Sequence, residues 1–173
     1  SPRESIASGR GNSLACPSMN GKSFRLLLAR ERFFIMREVE FEMVTSAPIE
    51  EIVELYRSAG WWQESPEARA IIPLMIRGSL CFMVARSLEG RIIGVGRVIS
   101  DGWSDAYIQD VTVLKPYRGR GIGRELIRRL TQFCVERKIG WIGLIAEPGT
   151  QKFYESLGFR PLVNYQPMLY GRQ

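Results

Sequence analysis

The sequence predicts an α/β (α+β) domain, with a mixed, mostly antiparallel central sheet and flanking helices. Three observations carry this expectation. Short β-branched runs with apolar side chains two apart alternate with longer stretches of helical spacing. Two of the runs are joined through Leu88-Glu89-Gly90, a short glycine-containing link that makes an antiparallel hairpin. A length of 173 residues, 45% hydrophobic and 24% charged, fits one globular domain, which buries roughly 70% of its unfolded surface and needs no disulfide or metal to fold.

Residues 1–36 read as an extension to a domain spanning 37–173. Ser1 to Lys22 is rich in Ser, Gly, Pro and Asn, and Ser23 to Met36 has the makings of one or two helical turns; Met36 is equally readable as a start residue. From Arg37 the chain alternates, with Val39, Phe41 and Met43 on one side and Glu38, Glu40 and Glu42 on the other, as in a half-exposed strand. Ser46 and Pro48 open a helix whose buried face is Ile49, Ile52, Val53 and Tyr56, ended by Gly60. Ser65-Pro66-Glu67 starts a second helical segment, which Pro73 is expected to kink or break before Gly78. Strands follow at Leu80–Ser87 and Arg91–Ser100, a turn at Asp101-Gly102, and a strand at Ala106–Leu114. A helix runs to about Lys138 with Ile122, Leu126, Leu130, Phe133 and Cys134 on its apolar face. Trp141–Ala146 reads as a strand, Thr150–Leu157 as a short helix capped by Gly158, and Phe159–Tyr170 as two short strands.

The chain has no histidine, which excludes Ser-His-Asp and Cys-His catalysis, histidine-ligated zinc and a histidine base. Its three cysteines, Cys16, Cys81 and Cys134, form no CxxC pair, and the last two sit in apolar runs as expected of buried, inert thiols. That usage favours a reducing, cytoplasmic setting. No apolar run approaches the ~20 residues of a membrane span, so no membrane partner is expected. The net charge of +6 suits an anionic partner of some kind, and where the charge sits must decide which.

It gathers in Asp110-Val-Thr-Val-Leu-Lys-Pro-Tyr-Arg-Gly-Arg-Gly-Ile-Gly-Arg124, where a β-branched strand runs into a loop and a long helix starts. Three glycines on alternate positions, Gly119, Gly121 and Gly123, let backbone N–H groups turn inward without Cβ interference. They do so at a helix N-terminus, where unpaired N–H groups and the macrodipole favour anionic oxygen, and Arg118, Arg120 and Arg124 add charge. A pyrophosphate needs this arrangement. The spacing is neither that of a P-loop nor that of a dinucleotide fingerprint, since Arg124 takes the place of the third glycine counted from Gly119.

The segment resembles motif A of the GNAT superfamily of N-acetyltransferases, [QR]-x-x-G-x-[GA] after a strand, filled here by Arg118, Gly121 and Gly123. Lys152-Phe153-Tyr154-Glu155-Ser156-Leu157-Gly158-Phe159 is similar to that family's motif B. The resemblance implies acetyl-CoA as the cofactor and an amine as acceptor. It places Val111, Thr112 and Val113 along the pantetheine arm, Arg118, Gly119, Arg120, Gly121, Ile122, Gly123 and Arg124 around the pyrophosphate, and the reactive thioester where strand 106–114 splays from strand 141–146. A strand N–H near Val113 would polarise the carbonyl. It makes Tyr154 the general acid that protonates the departing thiolate, with a packed tyrosine as the plainer reading. The family's usual glutamate base aligns with Tyr107, so the base is left among Asp110, Glu147 and a water relay; Glu147 also replaces a customary cofactor-contacting asparagine. Alternation sets Tyr107 and Gln109 on one face and Ile108 and Asp110 on the other.

For the acceptor, Trp61, Trp62 and Trp103 are candidates for an aromatic wall beside Tyr107, and the Gly60-Trp61 and Ser104–Tyr107 stretches look similar to arylalkylamine acetyltransferase-like branches. Tryptophans covering the core or a homodimer contact are the alternative, and a protein or peptide amine is the alternative to a small-molecule acceptor. Two other classes compete with an enzyme: a catalytically silent acyl-CoA-binding module, against which Tyr154 argues, and a nucleic-acid binder, against which stands the absence of any RRM, KH or zinc-finger pattern.

Overall fold

A computed structural model describes residues 38–171; the expectations for the 1–36 extension, Cys16 and Arg37 lie outside these residues. Its elements, in order, are strand β1 (Val39–Met43), helices α1 (Ile49–Ala59) and α2 (Pro66–Gly78), strands β2 (Cys81–Ser87), β3 (Ile92–Ser100) and β4 (Asp105–Val113), helix α3 (Ile122–Glu136), strand β5 (Trp141–Gly143) and helix α4 (Gln151–Glu155). A single turn of 3₁₀ helix, Lys115–Tyr117, links β4 to the loop before α3. The sheet order is β1-β2-β3-β4-β5. The first four strands pair antiparallel and β5 lies parallel to β4. The mixed, mostly antiparallel sheet with flanking helices is the architecture the sequence predicts.

Local chemistry explains most boundaries. Helix α1 ends at Gly60, whose φ of 82° is left-handed and closes the last turn onto Tyr56 and Arg57 carbonyls. The Ser65 side chain caps α2 by accepting the Ala68 N–H. Gly90, at φ 81°, makes the β2–β3 turn.

Four expectations need correction. Pro73 does not break α2, which continues to Gly78; the ring takes one N–H from the ladder, while the buried Ile72 and Ile76 anchor the helix on either side. Met43 is 53% exposed although Val39 and Phe41 pack on the core, because β1 ends there. Strand β5 stops at Gly143 instead of Ala146, and no strand is formed over 159–171. Leu162, Val163, Tyr165, Met168, Leu169 and Tyr170 are all exposed, so that segment gains no burial from which a strand would draw support.

The core fills both faces of the sheet. Helix α3 lies against β2, β3 and β4 through Ile122, Leu126, Ile127, Leu130 and Cys134, and the predicted apolar face is the buried one. Two glycines in β3 admit it closely. A Cβ on Gly94 would lie 3.2 Å from Leu126 Cδ1, and one on Gly96 would lie 2.8 Å from Leu130 Cδ1 and 3.1 Å from Val111 Cγ2. By strand alternation Val95 and Arg97 point to the opposite face, where α1 packs on β3 and β4. Gly96→Ala is expected to cost about 1–2 kcal/mol, since the Leu130 side chain yields but the Val111 side of the strand must yield too; a urea midpoint unchanged from the parent would contradict this packing. Cys81 and Cys134 are free and buried, and burial pushes the Cys81 thiol up to about 11, in keeping with an inert role.

Candidate active site

The pairing of β4 with β5 covers only Asp105↔Trp141, Ala106↔Ile142 and Tyr107↔Gly143. Beyond Tyr107 the two strands part, and a cavity of about 380 Å³ opens in the gap. Its lining includes Tyr107, Asp110 and Val111 from β4, Glu147 and Tyr154 from the β5–α4 side, and Trp61 from the loop after α1. Residues spread over almost a hundred positions of sequence thus meet where the sheet splits. The only charged groups among the lining residues are the carboxylates of Asp110 and Glu147.

Tyr154 comes from α4, where Tyr154 and Phe159 pack edge to face at 6.0 Å and Phe153 lies 5.1 Å away. Its ring is half-buried, and its hydroxyl has no hydrogen-bond partner among the described residues. Burial, and secondarily the Glu147 charge, raises its pKa above the ordinary 10.0, so it holds its proton at neutral pH. The plainer reading of a packed tyrosine with its hydroxyl satisfied by backbone therefore finds no acceptor.

Glu147 is carried by the turn Glu147–Thr150, closed by Gly149 at φ 83° and by bonds from the Thr150 N–H and hydroxyl to the Glu147 carbonyl. Its Oε1 accepts the Trp61 indole N–H at 2.9 Å, a bridge from one wall of the cavity to the other. Trp61 is steadied from behind by an edge-on contact with Tyr56 at 5.9 Å. Tyr107 packs its ring 5.1 Å from Trp141.

Of the three candidate tryptophans only Trp61 lines the cavity, so the expected wall of Trp61, Trp62 and Trp103 is not formed. Trp62 is half-buried against the core and donates its indole N–H to Glu64 at 2.9 Å. Glu64 also accepts from Arg57 and Arg69, and these bonds, Arg69's foremost, pull its carboxyl down to about 2. Trp103 is 87% exposed in a turn that Asp101 organises by accepting the N–H groups of Trp103 and Ser104.

Period-2 alternation in β4 fails at Asp110. Its φ of 54° is left-handed, and the β3–β4 register shifts between Val95 and Arg97, so that Asp110 and Val111 together oppose Gly96. A bulge of this kind ordinarily carries glycine at its first position, and an L side chain there costs about 1–2 kcal/mol. Asp110 Oδ2 accepts from Arg97 Nε at 2.5 Å and from the Tyr56 hydroxyl at 3.2 Å, and Arg97 Nη2 also reaches Gln109 Oε1 at 3.3 Å. Sequence spacing assigns neither Arg97 nor Tyr56 to the site; the two lie on different elements, and only the folded sheet brings them to Asp110.

At the far end of β4 the glycine loop behaves as its composition requires. Gly119 and Gly121 have φ of 77° and 92°, and open space lies where each Cβ would be. Gly121 is the N-cap of α3 and supplies no side chain, so the first N–H groups of the helix are left for another acceptor. A Cβ on Gly123 would lie 3.8 Å from Val113 and 4.0 Å from Phe153, which sets the helix start between the end of β4 and the helix bearing Tyr154. The cradle fits a diphosphate.

The arginines divide their work. Arg118 donates from Nε to the Val113 carbonyl at 2.7 Å and from Nη2 to the Ser58 carbonyl at 3.1 Å, tying β4 to the end of α1. Arg124 bonds Ser156 Oγ at 2.9 Å and stands over the Phe153 ring at 5.9 Å. Arg120 stacks on Tyr117 at 5.4 Å and has no carboxylate partner among the described residues. Val111 lines the cavity, whereas the Thr112 and Val113 side chains are buried.

The comparisons agree with this geometry. Residues 48–159 match the model of the acetyltransferase (GNAT) family, and the chain belongs to that family. It is 39% identical over 71 residues to GCN5-related N-acetyltransferase 2, chloroplastic, of Arabidopsis thaliana, a match covering 41% of this chain and 28% of that protein. Serotonin N-acetyltransferase 2, chloroplastic, of Oryza sativa subsp. japonica is 36% identical over 75 residues, 43% of this chain and 38% of the rice protein. The chain therefore spans well under half the length of these relatives. A solved GNAT-family acetyltransferase from Streptococcus pneumoniae superposes with a TM-score of 0.65 at 22% identity, covering 78% of this chain and 98% of that one, and shares its fold. Acetyl-CoA is the acetyl donor of the family.

Proposed function

We propose that this chain is an acetyl-CoA-dependent N-acetyltransferase that moves an acetyl group directly to the primary amine of a small molecule, and that the acceptor is aromatic. The observation that carries the reading is the Tyr154 hydroxyl, without a hydrogen-bond partner among the described residues and held protonated in the same cavity as Glu147 and as Val111 of β4, the strand that leads to the glycine loop. When bound, acetyl-CoA supplies a thioester whose C–S bond breaks as the amide C–N bond forms, with the amine losing a proton and the sulfur gaining one.

The amide N–H groups from Gly119 to Gly123 hold the diphosphate, aided by the charge of Arg120, while Val111 to Val113 flank the arm that reaches the cavity. Arg118 and Arg124 brace the loop from outside through the bonds already described. Tyr154 gives its hydroxyl proton to the departing sulfur. Glu147 takes the amine proton, directly or through a water: its Oε1 is engaged by Trp61, leaving Oε2, whereas Asp110 is already paired with Arg97 and Tyr56 and is given no proton to move. Glu147, the lining carboxylate with no ion-pair partner among the described residues, suits an ammonium, and Trp61 and Tyr107 suit a ring beside it. The rice relative's name, with serotonin an arylalkylamine, points the same way.

The test is thiol release from acetyl-CoA across amines, polyamines, aminoglycosides and peptides. Tryptamine or phenethylamine is expected to exceed the non-aromatic amines in kcat/KM by roughly 10-fold or more, the discrimination a well-filled apolar pocket supplies. No release with any amine would overturn the activity; release without aromatic preference would overturn the acceptor class alone.

A further inference from the structure

We infer that Tyr56 and Arg97 are positioning residues for the transfer reaction: together they latch the Asp110 carboxylate, and so hold the left-handed bulge that sets the Val111 segment of β4 against the cavity. The inference rests on the acetyltransferase reading and gives work to residues which that reading leaves idle.

Four observations converge. Asp110 occupies a left-handed conformation that glycine adopts freely and other residues adopt at a cost, which is smaller for aspartate than for most. Both constraining donors meet at one oxygen, Oδ2, one from β3 and one from α1. Across the bulge Gly96 has no room for a Cβ, so the bulge is packed from the α3 side and pulled from the α1 side. It falls where the β4–β5 pairing has just ended, and Asp110 and Val111 both line the gap. Burial, and then the Asp110 charge, raises the Tyr56 hydroxyl far above its ordinary range, so it remains a donor. Arg97 is mostly buried, its side chain 16% exposed, with no second carboxylate among its described partners. A mostly buried cation whose Nε is spent on the bulge residue and whose Nη2 is spent on its neighbour Gln109 has a geometric task.

The latch assigns Asp110 no proton transfer, which separates it from a general base. Arg97→Met removes the main donor. It is expected to lower kcat by about 10-fold or more, as a small misplacement of a reacting segment does, while the calorimetric Kd for coenzyme A changes less than about threefold. Adding Asp110→Gly relieves the need for a latch, because glycine takes the left-handed φ unaided, and is expected to recover kcat to within about threefold of the parent. Backbone ¹³C shifts at residue 110 report the sign of φ without any turnover. They are expected to show the left-handed signature in the parent and to lose it in Arg97→Met. Should Arg97→Met fail to fold, Asp110→Ala and Asp110→Gly decide the matter, with alanine expected at least about fivefold less active than glycine.

An intact left-handed signature in Arg97→Met, a double variant as slow as the single, or equal losses in Asp110→Ala and Asp110→Gly would each overturn the latch. A parent that releases no thiol with any amine overturns the acetyltransferase reading instead, and the shifts at residue 110 still judge the latch.

Discussion

Tyr154→Phe is expected to lower kcat by about 10²-fold or more, the span that general acid catalysis commonly supplies, with coenzyme A binding little changed. The substitution keeps the ring that packs on Phe153 and Phe159 and deletes only an oxygen that makes no hydrogen bond among the described residues, so stability should be nearly unaffected. That separation makes the variant informative: a structural tyrosine would lose stability and keep rate. The pH dependence has a definite sign. Tyr154 works in its protonated form, and its pKa is displaced upward from 10.0, first by burial and then by Glu147. Its contribution is therefore present at neutral pH and lost only as pH rises through a value above 10.0. In a parent enzyme assayed with a fully deprotonated amine, no alkaline loss assignable to this group should occur below that point. Turnover of Tyr154→Phe at the parent rate would remove the residue from the chemistry.

The second large effect is expected at Gly121. At φ 92°, in the position just before α3, a valine meets no neighbouring atom but must adopt a backbone conformation that β-branched residues avoid. The local chain will rotate to relieve it, and the N–H groups of Ile122 and Gly123 then no longer converge. Gly121→Val is expected to weaken coenzyme A binding by about 10²-fold, combining roughly 1–2 kcal/mol of backbone cost with lost charge-assisted bonds to phosphate. Because the Cβ would enter open space, the packed core is untouched and the unfolding midpoint should fall only modestly. Calorimetry and a denaturant titration on the same preparation separate the two quantities. Unchanged affinity would show that the loop amides do not hold the diphosphate.

Much of this site is readable in the sequence because its requirements are local. Glycine at 119 and 121 is a statement about φ, and a helix start with no capping side chain is a statement about free N–H groups; both follow from composition and order. Tyr154 comes to notice through the resemblance of 152–159 to a family motif, and Glu147 because it follows the strand expected over 141–146. What escapes the sequence is set at a distance. An aspartate in a left-handed bulge looks, in a β-branched run, like any other strand residue, so the alternation of Ile108 with Asp110 reads straight through the point where it breaks. Arg97 and Tyr56 disclose themselves only when β3 and α1 are folded against β4. The tryptophans show the same limit. Whether an indole lines a cavity, covers the core or stands in solvent depends on its N–H partner: Glu147 for Trp61 and Glu64 for Trp62, while the turn at Asp101 puts Trp103 outside. For the final segment, apolar content alone suggests strands over 159–170, yet beyond Phe159, which packs on Tyr154, the side chains find no surface to bury against.

Two ligands that share the pantetheine arm, one with and one without the diphosphate and its 3′-phosphorylated adenosine, bear most directly on the central claim. Coenzyme A and pantetheine share the arm that would enter the gap between β4 and β5; only the first carries the diphosphate proposed to sit on the amides of residues 119–123, together with its phosphorylated adenosine. Calorimetric titration of the parent chain is expected to show saturable uptake of coenzyme A at one equivalent and binding of pantetheine weaker by about 10²-fold or more. Equal affinity for the two, or no uptake of coenzyme A, would contradict it.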